Sequence, residues 1–288
     1  QTCALRSYLS LVTFSHTVFA LPFAIIGFTL GITQPGATFE WTDLLLVVAC
    51  MVFARSAAMA FNRYIDADID KKNARTAQRE IPKGVISSKN ALVFVIGSSI
   101  AFMICALLLN KLCFFLSPVA LLVILGYSYT KRFTWLCHFI LGIGLALAPI
   151  GAYLAVTETF QTLPLIFSFI VFTWVSGFDI IYALQDEEFD KSNHLYSLPA
   201  KLGKSNALIV SIIVHLNTAL LVWYASNYAL FDILYWIGAG IFVSMLIYQH
   251  LIVKPNDLSK VNRAFFTANG IASVVFGIFV VVDLLQNF

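Results

Sequence analysis

Charge is what this chain has least of. Asp, Glu, Lys and Arg make up 11% of its 288 residues, against roughly 25% in an ordinary soluble domain. That shortage excludes most soluble folds, because the surface of a globule needs polar cover. The net charge of +3 is too small for a nucleic-acid-binding surface, so no nucleic-acid partner is expected. Cysteine is scarce too. Cys3, Cys50, Cys105, Cys113 and Cys137 form no C-x-x-C pair and mostly lie in apolar runs, which excludes a zinc site or a disulfide framework. No A-x-A site follows the apolar run after Arg6, so no cleavable signal is expected. What the chain has instead is apolar: 60% hydrophobic residues and a mean hydropathy of +0.86. Disordered and collagen-like classes are excluded with the soluble ones. The chain is expected to be an all-α, polytopic membrane protein.

A helix needs about 20 apolar residues to cross the hydrocarbon core. Nine such runs are expected, at 7–31, 41–65, 90–110, 112–130, 135–157, 163–186, 205–226, 229–252 and 261–285, in a single domain over 1–288. The connections alternate in character. On one side they and their margins carry Lys71, Lys72, Arg75, Arg79, Lys83, Lys89, Lys131, Arg132, Lys191, Lys201, Lys204, Lys254, Lys260 and Arg263; on the other they carry Lys111 alone. The positive-inside rule puts the first set, and the N-terminus, in the cytoplasm.

The acids are clustered. Of 15, eight are Asp179 and the members of two short stretches, 66–70 and 186–190. Both stretches stand where a span meets the cytoplasm, and ionisable groups at membrane depth usually mark a site. On a continuous helix, Asn62, Asp66 and Asp70 span an arc of about 80°, with Arg55 on the same arc two turns deeper. Asp68 points away. Asp179, Asp186 and Asp190 fall within roughly 40° of one another by the same geometry, with Glu187 and Glu188 directed elsewhere. The two stretches also resemble each other: Asp66-x-x-x-Asp70-Lys71-x-Asn73 matches Asp186-x-x-x-Asp190-Lys191-x-Asn193, which suggests an internal duplication. A single D-x-x-x-D is as well explained by the charged wet end of a span. Two matched stripes, each continued inward by Asp179 or Arg55, argue for a site.

Facing carboxylates repel unless a cation neutralises them. Oxygen donors without His or Cys favour a hard ion, Mg²⁺ or Ca²⁺. Arg75, Arg79, Lys131 and Lys201 are placed to hold phosphate oxygens. Acids, a hard metal and a basic rim suggest a diphosphate whose organic part is lipidic, since the site opens into an apolar bundle. The 26 Phe residues offer aromatic walls for a prenyl chain, or simply packing. Tyr127 and Tyr129 suit an interfacial belt, and His16, His215 and His250 suit packing. A secondary transporter and a non-catalytic prenyl-lipid binding protein are the alternatives from other classes.

These residues resemble the UbiA superfamily of intramembrane aromatic prenyltransferases. The first family motif, N-D-x-x-D-x-x-x-D, is met by Asn62, Asp66 and Asp70, with Arg63 in place of its first Asp. The second, D-x-x-Y-x-x-x-D-x-x-x-D, is met by Asp179, Tyr182, Asp186 and Asp190. Arg55, Arg75, Arg79 and the segment Tyr127-Ser-Tyr-Thr-Lys131-Arg132 fit the pattern as well. The chain is most similar to the 4-hydroxybenzoate polyprenyltransferase branch and its UbiA-like relatives in quinone biosynthesis; a haem or chlorophyll prenyltransferase is a weaker match. The resemblance implies nine helices and a cavity towards the cytoplasmic side of the inner membrane. It implies Mg²⁺ on Asp66, Asp70, Asp179 and Asp186, with the diphosphate of a polyprenyl donor met by Arg75, Arg79 and Lys131. An aromatic acid, of the 4-hydroxybenzoate or dihydroxynaphthoate type, would be the acceptor in ubiquinone or menaquinone synthesis. Two anions are open to Arg55, the carboxylate of that acid and the side chain of Asp179.

The basic asymmetry gives a direct test of orientation. Single cysteines at the Lys83 and Lys201 positions are expected to be labelled only from the cytoplasmic side, and those at Thr38 and Glu158 only from outside. Labelling of the first pair in intact cells by an impermeant reagent reverses the orientation.

Overall fold

A computed structural model of the chain describes Tyr8, Leu11 and residues 17–287, and the described residues contain no strand. The long helices are α1 (Thr17–Ile32), α2 (Trp41–Ile65), α4 (Ser88–Leu109), α5 (Lys111–Thr130), α6 (Cys137–Thr157), α7 (Thr162–Ala183), α9 (Leu198–Ala225), α10 (Ile233–Ile252) and α11 (Asn269–Gln286). Two short helices, α3 (Ala67–Lys72) and α8 (Glu187–Ser192), follow α2 and α7. Among the described residues, eight helical segments are long and apolar enough to cross a membrane, and α1 is a shorter apolar helix. The start of the first expected span, with His16, lies outside the described residues.

Local chemistry sets several helix starts. The side chains of Ser87, Asn110, Ser197 and Asp232 each accept a backbone N–H from the first turn of α4, α5, α9 and α10, donors that a helix otherwise leaves unpaired. Gly203, at φ 78°, breaks α9 near its start, so the expected span at 205–226 begins just beyond the kink.

Each long helix packs on the next, and α11 returns to α1, closing a ring. Helix α1 also lies against α6 across the ring, separating α2, α4 and α5 from α7, α9, α10 and α11. On the second side the core is aromatic. The Trp174 ring lies 5.2 Å from Phe23 and 5.8 Å from Phe242, and Phe242 lies 4.9 Å from Phe276. These rings are fully buried, so this part of the phenylalanine content is packing. Many polar groups inside this core are paired, while Gln249 Oε1 and His250 Nδ1 are buried without a hydrogen-bond partner among the described residues. Asn269 accepts from Trp174 Nε1 at 3.0 Å and from Gln249 at 2.8 Å. It donates to the carbonyls of Ala264 and Phe265 in the π-helical turn Arg263–Ala268. His215 and His250 join α9 to α10 at 2.9 Å, and His215 contacts the Trp174 carbonyl at 3.1 Å. They pack the bundle, as the sequence suggests. The outer faces carry exposed Leu45, Ile100, Leu108, Phe115 and Leu122, a surface suited to lipid. The chain is a multi-pass membrane protein.

The crossing of α1 and α6 is close. A Cβ on Gly27 would fall 2.0 Å from the Pro149 carbonyl oxygen, whereas one on Gly97 would meet nothing within 4 Å. Gly27→Ala is therefore expected to cost about 1–3 kcal/mol through overpacking. Gly97→Ala is expected to be neutral or slightly stabilising, by about 1 kcal/mol at most. Thermal melting of the two variants in detergent checks this; equal shifts mean that the contact has slack.

Candidate functional site

The first Asp-rich stretch begins where α2 stops. Asp66 has φ −91° and ψ 6°, and α3 starts at the next residue. Helix α7 runs into one 3₁₀ turn ending at Asp186, which has φ −102° and ψ 5°, and α8 starts at the next residue. Both chains thus break at the first Asp of D-x-x-x-D with the same backbone geometry, in the sparsely allowed bridge region. This corrects the continuous-helix construction of the stripes. Asp70 and Asp190 reach the site from separate short helices.

The two breaks face one cavity. Among its lining residues are Asn62, Asp70, Arg75, Arg79, Lys131, Asp179, Tyr182, Asp186 and Asp190. Asp66 lies just behind them, 1% exposed. It is held by Lys131 Nζ at 2.6 Å, by Arg132 Nη2 at 3.2 Å and by Asn62 Nδ2 at 3.3 Å. Arg132 also donates to the Ile65 carbonyl at 2.8 Å, at the very end of α2. Asp70 is bonded through both oxygens to Arg79 Nη1 at 2.8 Å. Burial pushes the Asp70 carboxyl up to about 6.

The second stretch is met by the loop that follows α3. Arg75 forks onto Asp186, Nε to Oδ1 at 3.0 Å and Nη2 to Oδ2 at 2.5 Å. Asn73 adds a third hydrogen bond at 3.1 Å. Arg75 Nη1 donates to the Tyr182 hydroxyl at 3.0 Å. Deeper along α7, Asp179 Oδ2 is 2.7 Å from His138 Nδ1. The His138 Nε2 accepts the Leu198 N–H at 3.3 Å, which assigns the proton to Nδ1 and makes His138 the donor to Asp179. Asp190 accepts from Ser197 at 2.8 Å, the residue that caps α9.

Sequence reasoning missed His138, Ser128 and Ser197. Each is one polar residue in or beside an apolar run, where packing is the ordinary explanation; Asn73 was visible only as part of the repeat. Tyr127 lines the cavity rather than belonging only to a belt. Lys201 is not at the cavity but sits over the Trp135 ring at 4.3 Å. Asp68 and Glu188 are exposed, as expected. Glu187 is turned aside into ion pairs with Lys191 and Lys204. Asp179 is bonded to His138 and not to Arg55, whose Nε is buried without a hydrogen-bond partner.

The donor set of the cavity is mostly oxygen: carboxylates, the Asn62 and Asn73 amides and the Ser128 hydroxyl, with Cys137 and His138 also in the lining and both ring nitrogens of His138 engaged by Asp179 and Leu198. That chemistry fits a hard divalent cation. As placed, no three acidic, His or Cys side chains among the described residues converge closely enough to hold one. Asp66, Asp70 and Asp186 are instead neutralised by Lys131, Arg79 and Arg75.

The profile of the UbiA prenyltransferase family matches residues 20–271. A 4-hydroxybenzoate octaprenyltransferase of Aliivibrio fischeri is 30% identical over 240 residues, 82% of each chain. Another, from Vesicomyosocius okutanii, is 31% identical over 81% of this chain and 85% of its own. The apo structure of a UbiA homologue from Aeropyrum pernix superposes with a TM-score of 0.84 at 31% identity, covering 93% of this chain and 98% of the other. A UbiA homologue from Archaeoglobus fulgidus bound to GPP and Mg²⁺ gives 0.73 at 21% identity, over 97% and 99% of the two chains. At that distance the likeness is one of fold.

Proposed function

The chain belongs to the UbiA prenyltransferase family, and from that premise we propose that it transfers a polyprenyl group from a polyprenyl diphosphate to an aromatic acid of the 4-hydroxybenzoate type. The observation that carries this reading is the convergence of both Asp-rich breaks on one basic-rimmed cavity of an apolar bundle. The Aliivibrio fischeri relative supplies the acceptor class by its name, and dihydroxynaphthoate is the alternative acceptor. The place of the reaction would be ubiquinone or menaquinone synthesis. The cavity would face the cytoplasm from the inner membrane, with the N-terminus on the same side, as the basic loops suggest.

In this reading Asp66, Asp70, Asp179 and Asp186 hold Mg²⁺, with Asn62 and Asp190 beside them. When bound, the metal offsets the charge of the departing diphosphate. Arg75, Arg79 and Lys131 line the cavity and move from carboxylates onto phosphate oxygens. Preorganised cations of this kind stabilise the charge that develops as the allylic C1–O bond breaks. Tyr182 aims Arg75 into the cavity. The electron-rich ring attacks C1 of the allylic cation through the carbon beside its hydroxyl and then loses that carbon's proton to the departed diphosphate or to an Asp of the cavity. Arg55 holds the carboxylate of the acid in a bidentate fork.

The test is direct. Purified protein is incubated with Mg²⁺, a polyprenyl diphosphate and a panel of aromatic acids, and mass spectrometry identifies the prenylated product. No product with any acid overturns the reading, as does full activity in excess EDTA for the metal. Asp66→Ala and Asp186→Ala are expected to lose at least about a hundredfold in turnover, since even residues that only orient ligands cost about ten- to a hundredfold. Asp68→Ala is expected to stay near wild type, and equal losses in all three refute the assignment of the stripes. Arg55→Lys is expected to raise KM for the acid far more than KM for the diphosphate; an unchanged acid KM removes Arg55 from the acceptor site.

A further inference from the structure

Each cation on the rim of the cavity is already committed. Arg75 takes both oxygens of Asp186, at 3.0 and 2.5 Å. Arg79 takes both oxygens of Asp70, and Lys131 takes Asp66 at 2.6 Å. A divalent ion approaching Asp186 therefore meets a carboxylate that already accepts three hydrogen bonds and whose charge is offset by Arg75. It also meets the positive charge of Arg75 itself. A diphosphate approaching Arg75 meets a guanidinium in the same condition. Each ligand supplies what the other removes: the anion draws off the arginine, and the cation takes the carboxylate.

We propose that metal and diphosphate load as a coupled pair, because Arg75 occupies Asp186 until a diphosphate draws it away. The inference rests on the diphosphate-binding role proposed above and adds a regulation of that site. Alone, the metal binds weakly, which keeps the carboxylates from filling before a donor arrives. Tyr182, bonded to Arg75 at 3.0 Å, and Asn73, bonded to Asp186 at 3.1 Å, hold the clasp in register. The coupling is reciprocal by thermodynamic necessity, and a coupling of this type spans about five- to 150-fold in affinity.

Equilibrium dialysis of the full-length protein in detergent, with radiolabelled Mn²⁺ and inorganic pyrophosphate, tests it. Complexes of the two ligands free in solution occur on both sides of the dialysis membrane and cancel. Wild type is expected to bind Mn²⁺ at least about tenfold more tightly with pyrophosphate than without. Arg75→Gln is expected to bind Mn²⁺ alone more tightly than wild type and to lose most of the coupling. A residue that merely contacts phosphate leaves the affinity for metal alone unchanged, and that result overturns the proposal. So does Mn²⁺ binding in wild type that ignores pyrophosphate while both ligands still bind, an outcome that leaves the proposed function standing. Failure of wild type to bind pyrophosphate at all overturns both. Arg75→Lys, which keeps the charge and loses the fork, serves where the glutamine variant does not fold. It is expected to bind Mn²⁺ alone more tightly than wild type, and wild-type affinity overturns the proposal.

Discussion

The structure is governed by what an unpaired charge costs where water is scarce. A carboxylate withdrawn from water without a partner is expensive enough to neutralise or to recruit a counter-ion. Here the partners come from far along the chain. Asp186 is met by Arg75, Asp66 by Lys131 and Arg132, and Asp179 by His138. Those pairings tie the loop after α3 to α7, the end of α5 to the end of α2, and α6 to α7. The polar end of the bundle is held by its ion pairs and by the His138–Asp179 hydrogen bond, while further along α7 Trp174 packs among Phe23, Phe178 and Phe242. The same cations that satisfy the carboxylates have the chemistry to bind phosphate, so in the proposed function the residues that resolve burial are also the ligand set.

Much of this was legible in the sequence because it depends on periodicity and composition. Eight of the expected spans coincide with helical segments to within a few residues, apart from the α9 kink, because a run of about 20 apolar residues leaves the backbone little else to do in lipid. That Asp68, Glu187 and Glu188 stand away from the cavity followed from helical phase. The breaks at Asp66 and Asp186 did not. Nothing local forbids α2 from continuing, since the stretch has no Pro or Gly. At its end Arg132 takes the Ile65 carbonyl, a contact between residues far apart in sequence. His138 was hidden for a similar reason. In an apolar run its neighbours say packing, and its meeting with Asp179 depends on how α6 lies against α7.

The repeat preserves backbone and not partners. Asp66 and Asp186 share their dihedral angles almost to the degree in ψ, and each starts a six-residue helix. Their surroundings differ. Asp70 is bonded within its own loop to Arg79, while Asp190 is bonded to the cap of α9. Asn73 reaches across to Asp186, whereas Asn193 stays on its own helix and donates to Phe189. The two matching turns share a backbone geometry, while their side-chain partners around one cavity differ.

That asymmetry matters because the proposed donor is asymmetric along its length. On α7 and the turn that follows it, the order from the mouth inward is Asp186, Tyr182, Asp179 and Trp174. The first is forked by Arg75, the second gives a hydroxyl, the third is held by the His138 imidazole, and the last is fully buried among Phe rings. At 1.5 Å per residue, the passage from charge to aromatic core takes about 18 Å. A soluble diphosphate would need the first turn alone, and a plain hydrocarbon would need the last alone. One helix that carries both ends in register suits a molecule that is charged at one end and lipid at the other.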